Sequence, residues 1–168
     1  MENKITIRTA SINDLKTVAE VFKNAVKVMC SNGIYQWDEV YPSEEILHND
    51  IMNKQMFLGE IDKNIASVFV LNQECDMEYE NGDWEYKDSS FFVIHRLCVN
   101  PLFQGKGVGK QTVQLIESYL QNKGIETIRL DAFSKNPIAL EMYEKLGYKR
   151  VGEVNWRKGL FYLFEKKI

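Results

Sequence analysis

Gln104-Gly105-Lys106-Gly107-Val108-Gly109 is the stretch that decides how this chain is read. It follows the apolar run Phe91-Phe92-Val93-Ile94-His95-Arg96-Leu97-Cys98-Val99 and opens an amphipathic stretch over residues 108–123. A strand, a glycine-rich loop and a helix in that order make a cradle for phosphate. Backbone N–H groups point outward from such a loop, and the helix N-terminus adds partial positive charge. Glycine admits close approach because it carries no Cβ. The segment therefore predicts a ligand that contains a pyrophosphate.

Outward from the loop, hydrophobic spacing predicts the remaining elements. Residues 5–8 alternate and read as a short first strand. Ser11, with Asp14 three positions on, caps a helix whose apolar positions are Leu15, Val18, Val21, Phe22, Ala25, Val26 and Met29. Asn32-Gly33 stops that helix, and residues 34–42 form a loop carrying Trp37 and Tyr41. Ser43 caps a second helix with Ile46, Leu47 and Ile51. Residues 55–61 and 65–71 are strands joined by a hairpin turn at Asp62-Lys63-Asn64. Residues 73–87 interleave acids with Tyr79, Trp84 and Tyr86, and Asn81-Gly82 predicts a lengthened β-hairpin there. Beyond the glycine loop, Val113, Leu115, Ile116, Tyr119 and Leu120 mark a helix that Gly124 ends. A strand over residues 125–132, a helix from Pro137 to Leu146 and an antiparallel pair at 148–154 and 160–165 complete the chain. No repeat or linker interrupts it, so residues 1–168 are expected to form one domain.

The bulk properties exclude several classes. A formal net charge of −3 disfavours nucleic acid as a partner. No apolar run approaches the roughly 20 residues that span a bilayer, so no membrane is expected. The stretch Met1-Glu2-Asn3-Lys4-Ile5 has no apolar segment of the signal-peptide kind. Cys30, Cys75 and Cys98 are widely spaced and odd in number, which fits reduced thiols in the cytoplasm and argues against disulfides or zinc. His48 and His95 are the only histidines, so no metal is expected.

Three phosphate loops compete for the glycine segment. A nucleotidase loop of the form GxxxxGK[ST] fails at Gln104 and at Gln111, which replaces the magnesium-binding hydroxyl. The dinucleotide form GxGxxG has Lys110 at its third glycine and lies too late in the chain. The pattern Gln104-x-x-Gly107-x-Gly109 instead resembles the acetyl-CoA loop of the GCN5-related N-acetyltransferase (GNAT) superfamily. The likeness extends upstream through His95-Arg96-Leu97-Cys98-Val99-Asn100-Pro101-Leu102-Phe103. It continues at a second signature, in which Asn136, Ala139, Tyr143, Gly147 and Tyr148 hold the family's spacing. The order of elements along the chain also matches. The chain departs from the pattern at Ser67, where the family often has glycine, and in the acidic segment. The resemblance implies a mixed α/β (α+β) fold: a twisted, mostly antiparallel central sheet flanked by helices, opening in a V beside the fourth strand.

It also implies transfer of acetyl from acetyl-CoA to a primary amine of a small molecule or peptide, by direct attack in a ternary complex. Such chemistry needs a deprotonated amine, donors for the thioester oxygen, a proton for the departing thiolate and a fixed geometry. On that likeness Gln104, Gly105, Lys106, Gly107, Val108, Gly109 and Lys110 hold the pyrophosphate. Leu97, Cys98 and Val99 offer backbone groups to the pantetheine arm, and so does the Asn136 side chain, which otherwise caps the helix at Pro137. Tyr143 occupies the general-acid position; a phenol of reference pKa about 10 is protonated at neutral pH. The alternative for Tyr143 is a packing role on the helix face. His95 is a candidate base, two residues before Leu97 and so expected on the face of Leu97 and Val99. A hydrogen-bonded sheet histidine, with proton loss through water, is equally open. Arg96 is expected to point away and pair with acids.

Trp37 and Tyr41, beside Asp38 and Glu39, lie in a loop that commonly walls the family's acceptor site, and aromatics near carboxylates suit a cationic amine. Trp37 reads equally as a loop anchor buried on the sheet. The acidic segment could attract basic acceptors through its field, although a solvated hairpin or a dimer contact serves as well. A monomer or a homodimer fits the chain. A non-catalytic acyl-CoA-binding module, acting as sensor or partner subunit, is the rival from another functional class.

Overall fold

A computed structural model describes residues 4–168; Met1-Glu2-Asn3, on which most of the signal-peptide reading rests, lie outside the described residues. The elements in chain order are β1 (Thr6–Thr9), a 3-10 turn (Ile12–Asp14), α1 (Leu15–Ser31), α2 (Glu44–Met52), β2 (Met56–Ile61) and β3 (Asn64–Asn72). Then come a 3-10 turn (Met77–Asn81), β4 (Phe91–Val99), a 3-10 turn (Pro101–Phe103), α3 (Val108–Asn122), β5 (Thr127–Phe133), α4 (Pro137–Lys145), β6 (Lys149–Trp156) and β7 (Gly159–Lys167). The seven strands form one sheet in the order β1-β2-β3-β4-β5-β7-β6. The β1/β2, β2/β3, β5/β7 and β6/β7 neighbours run antiparallel and β4/β5 parallel, the mixed α/β architecture expected. The chain divides into two compact units: residues up to Leu71 with Arg96–Leu115, and Asn72–His95 with Ile116–Ile168.

In the first unit, α1 buries Val18, Val21, Phe22 and Ala25, an apolar stripe at helical spacing. These side chains and Leu47 and Ile51 of α2 cover one face of β2 and β3, meeting Met56, Leu58, Val68 and Val70. Ser43 caps α2 by accepting the Ile46 N–H at 3.3 Å. The β2–β3 hairpin turns on Asp62 and Lys63, whose φ values of 49° and 64° are both left-handed, as the favoured two-residue turn requires. A register shift places Gly59 opposite Ser67 and Glu60 opposite Ile65, so Ala66 is an extra residue. Ala66 therefore packs on the opposite face from Val68, with Ile5, Ile61 and Val108.

In the second unit, Tyr79, Trp84, Val93, Val154 and Leu163 form a cluster, with Phe91 and Trp156 packed against it. On β7 the next residue, Phe164, turns the other way and meets Tyr143 of α4. The expected hairpin at residues 73–87 is absent; a 3-10 turn over Met77–Asn81 stands in its place. The reason lies in its aromatics. Gly82 has φ −80° rather than the positive φ of a tight hairpin turn. Trp84 folds back so that its Nε1 donates to Tyr79 O at 2.7 Å, and the two rings stack at 5.6 Å. A Cβ on Gly82 would stand 2.6 Å from the Trp84 indole, so glycine serves close packing here. Tyr79 and Trp84 of the segment are buried, and it is fastened to the fold: Asp83 N–H donates to Val151 O, and Tyr79 Oη donates to Asp131 at 2.7 Å.

Candidate functional site

The end of β4 is pinned before the glycine loop begins. Asn100 N–H donates to Ala66 O at 2.9 Å and its Nδ2 donates to Ile65 O at 2.7 Å, while its Oδ1 accepts the Leu102 N–H. Gln104 reaches back so that Nε2 donates to Val99 O at 3.4 Å. Gly105 and Gly107 both sit at φ +74°, a conformation that favours glycine. A Cβ on Gly105 would meet nothing within 4 Å, so the space beside it is open to a ligand. Gln111 N–H donates to Gly107 O, which makes this the first helical bond of α3. Helix geometry then leaves the N–H groups of Val108, Gly109 and Lys110 ahead of any intrahelical acceptor. Lys106 and Lys110 are exposed, and Lys106 Nζ donates to Leu102 O at 3.3 Å. Left-handed glycines, unspent helical donors and two lysines suit a pyrophosphate.

The first turn of α3 is tethered to β3. Thr112 gives its hydroxyl proton to Val108 O at 2.8 Å, so Ser67 is the donor in the 2.8 Å bond between the two hydroxyls. The side chain at the position where relatives often have glycine is thus a strut beneath the loop.

Along β4, Arg96 has φ +49°, which breaks the pleat. Period-two alternation is therefore no guide across it. Within the first unit, Cys98 joins the α1–α2 core, whereas Val99 packs with Ile5, Ile61 and Val108. Burial pushes the Cys98 thiol up to about 12, so its sulfur stays protonated and only its backbone is suited to a ligand. Leu97 is half-buried. The β4–β5 ladder runs from Phe91↔Thr127 to Ile94↔Leu130.

Arg96 pairs with an acid, as expected. Its Nε and Nη2 donate to the two oxygens of Asp50 at 2.9 and 2.7 Å, and Nη1 donates to the Tyr41 hydroxyl at 2.9 Å. The neighbouring phenol and the Asp50 carboxylate raise the guanidinium pKa against the opposing effect of burial. Tyr41 is 36% exposed, and its ring centre lies 5.9 Å from the guanidinium carbon. Asp38 shapes the loop, with Oδ1 accepting the N–H groups of Val40 and Tyr41, both at 3.0 Å. Trp37 is buried, tilted against Phe22 at 5.3 Å. It anchors the loop in the core, so of Trp37 and Tyr41 only Tyr41 is exposed.

In the second unit, His95 Nε2 lies 2.7 Å from Asn72 Oδ1, and that same oxygen accepts the Glu74 N–H at 3.0 Å. The backbone donor fixes which end of the Asn72 amide is oxygen, so His95 Nε2 carries the hydrogen of this bond. Asn136 caps α4 through Oδ1, which accepts the Ala139 N–H at 3.1 Å. Tyr143 lies two turns into that helix, buried, with Tyr148 edge-on at 5.5 Å. Burial, and then the charge of Asp131, hold its phenol protonated above the ordinary tyrosine range.

Sequence reasoning missed Asn72, Asp50 and Thr112. Asp50 carried a signal: it stands three positions after Leu47, on the apolar stripe of its helix, where a carboxylate demands a partner. Asn72 and Thr112 carried none, because their partners are fixed by the strand and helix that bring them in.

The comparisons agree with this geometry. The model of the acetyltransferase (GNAT) family matches residues 29–148. The chain is 27% identical over 173 residues to a spermidine N(1)-acetyltransferase of Thermoplasma acidophilum, covering 97% of each sequence. Its fold is similar to a GNAT-family acetyltransferase from Streptococcus agalactiae, with a TM-score of 0.85 at 23% identity, covering 98% of this chain and 95% of that one. It is also similar to the PaiA N-acetyltransferase of Thermoplasma acidophilum in complex with coenzyme A, with a TM-score of 0.72 at 24% identity and coverage of 98% and 99%. With glycine loop, strand order and second signature in place, this chain belongs to the GNAT acetyltransferase family.

Proposed function

We propose that the protein is an acetyl-CoA-dependent N-acetyltransferase acting on a primary amine of a small molecule or peptide, by direct attack in a ternary complex. The observation that carries the reading is the pair of left-handed glycines, Gly105 and Gly107, at the start of α3 in a chain of this family. The likeness to a spermidine acetyltransferase and to a fold solved with coenzyme A supports it. When bound, acetyl-CoA supplies the thioester carbonyl that is attacked and the thiolate that leaves.

The chain's own residues divide the remaining work. Backbone N–H groups from Gln104 to Lys110 bind the pyrophosphate, and Lys106 and Lys110 add charge. Backbone groups of Leu97, Cys98 and Val99 and the Asn136 amide hold the pantetheine arm. Tyr41 meets the acceptor, with Trp37 holding its loop. His95 takes the proton of the attacking amine. A carbon–nitrogen bond forms and the carbon–sulfur bond breaks. The Tyr143 hydroxyl donates to the departing sulfur, which ends as the free thiol. No metal enters. Cys30, Cys75 and Cys98 are free cysteines, in keeping with the reducing cytoplasm, and the protein works as a monomer or homodimer.

Thiol release from acetyl-CoA, measured against amino acids, peptides, polyamines and aminoglycosides, tests the reading. At least one amine is expected to be acetylated with turnover. Tyr143→Phe keeps the aromatic contacts and should lower kcat about 100-fold or more. His95→Gln should move the acid limb of the rate profile. Tight coenzyme A binding without turnover on any amine would instead mark an acyl-CoA sensor.

A further inference from the structure

We infer that the acceptor carries a carbonyl or carboxylate beside its amine, and that Tyr41 donates its phenolic hydrogen to that oxygen. The inference rests on the acetyltransferase reading and narrows it. Near Tyr41, the two carboxylates held in defined geometry already serve protein donors. Asp38 Oδ1 takes the Val40 and Tyr41 N–H groups, and both Asp50 oxygens take Arg96. An ammonium or polyamine seeks such acceptors, and here three of the four oxygens already take protein donors. The Tyr41 oxygen accepts from Arg96 Nη1 at 2.9 Å, so the phenol's own hydrogen is directed elsewhere. A phenol has one hydrogen to give, and accepting from a cation makes it the stronger donor.

What this loop offers a substrate is therefore a donor, and a donor selects an oxygen. Its position suits an oxygen close to the reacting amine. Arg96, which holds Tyr41, immediately precedes Leu97, where the segment proposed to follow the pantetheine arm begins. An α-amino acid, its amide and a peptide N-terminus all set a carbonyl next to an amine; a polyamine and a simple alkylamine do not. Rejection of the analogue lacking the oxygen follows, because the Tyr41 hydroxyl would otherwise be desolvated without a partner.

Matched acceptors test the inference with the intact enzyme: leucinamide, leucine and a leucine-initiated tripeptide against isoamylamine and spermidine, for wild type, Tyr41→Phe and Glu39→Gln. Leucine, leucinamide and the tripeptide separate a free amino acid from a peptide end as the source of the oxygen. The best of these three should exceed isoamylamine in kcat/KM by about tenfold or more, the value of one selective hydrogen bond. Tyr41→Phe keeps the ring on Arg96 and should erase most of that preference through KM. Spermidine as the best acceptor would overturn the inference while leaving the acetyltransferase reading standing. So would a rise in KM caused by Glu39→Gln in place of Tyr41→Phe, since it would show the loop reading cations. Turnover of no amine would overturn both.

Discussion

Each unit of this protein holds a buried arginine–carboxylate pair, Arg96–Asp50 and Arg129–Glu165, and the two are held by different physics. In the first, Arg96 and Asp50 have side chains 13% and 10% exposed and meet through two bonds of 2.9 and 2.7 Å, with Tyr41 taking a third. In the second, Arg129 and Glu165 are 10% and 1% exposed, yet Nε and Oε2 stand 3.8 Å apart. Both of those atoms are buried and lack a hydrogen-bond partner among the described residues. Arg129 is instead sandwiched by rings, its guanidinium carbon 4.5 Å from the Trp84 centre and 4.0 Å from Phe91. Glu165 spends Oε1 on the Glu85 N–H at 2.8 Å. A guanidinium can be kept from water by directional bonds or by aromatic faces. The bonded pair fixes a direction for the Tyr41 hydroxyl. The stacked pair fastens the aromatic segment around Trp84 to the strands it covers.

The strongest way to break this comparison is Asp50→Ala. It strands a buried guanidinium and should cost about 3–5 kcal/mol, read as a lower denaturation midpoint at unchanged slope. A loss below about 1 kcal/mol would mean that water already screens Arg96, and the contrast would collapse. Next, the double change Arg129→Met with Glu165→Gln removes both charges and keeps an acceptor for Glu85. It should leave stability unchanged or raise it by about 1–4 kcal/mol, since the stacked pair makes poor use of its charges. The smallest effect belongs to an exposed control. Arg8 is 42% exposed and holds the Asp14 carboxyl well below the usual carboxylate range. A carboxyl lowered in the folded state stabilises above its unfolded pKa and loses that contribution as pH falls. Asp14→Asn should therefore cost under about 1 kcal/mol at neutral pH, and its difference from wild type should shrink below about pH 4. Thermal melts across pH would show it.

The sequence was most legible where one residue's task depends on its neighbours. The glycine loop announced itself because a strand, two left-handed positions and a helix start leave few alternatives to Gly105 and Gly107. Caps behaved likewise: Ser43 and Asn136 each take the N–H three residues on. Local signals misled at Asn81-Gly82, because burial of Tyr79 and Trp84 outweighed turn propensity. They lose their reach at Arg96, where one left-handed residue interrupts the alternation on which the expected placement of His95 relied. Trp37 needed the tertiary fold, since an aromatic loop residue looks alike in sequence whether buried or wet, whereas the position of Asp50 on an apolar helix stripe signalled burial without naming its partner. The hydrogen on His95 Nε2 is fixed by an oxygen 23 positions away and by a backbone hydrogen beyond it, which no spacing rule reaches.

Ser67 leaves a further mark on the chain. A Cβ added to Gly59 would stand 2.2 Å from the Ser67 Oγ, and Ser67 faces Gly59 across the ladder. The two positions share one vacancy, and whichever carries the side chain denies it to the other. A side chain at 59 therefore requires the Ser67 hydroxyl to leave its place against Thr112 or to be absent. Gly59→Ala should be tolerated far better in a Ser67→Gly background than alone, with Ile5 Cγ2 at 3.3 Å setting how complete the rescue is. A glycine on one strand is, in this sense, the silent half of a choice recorded on the next.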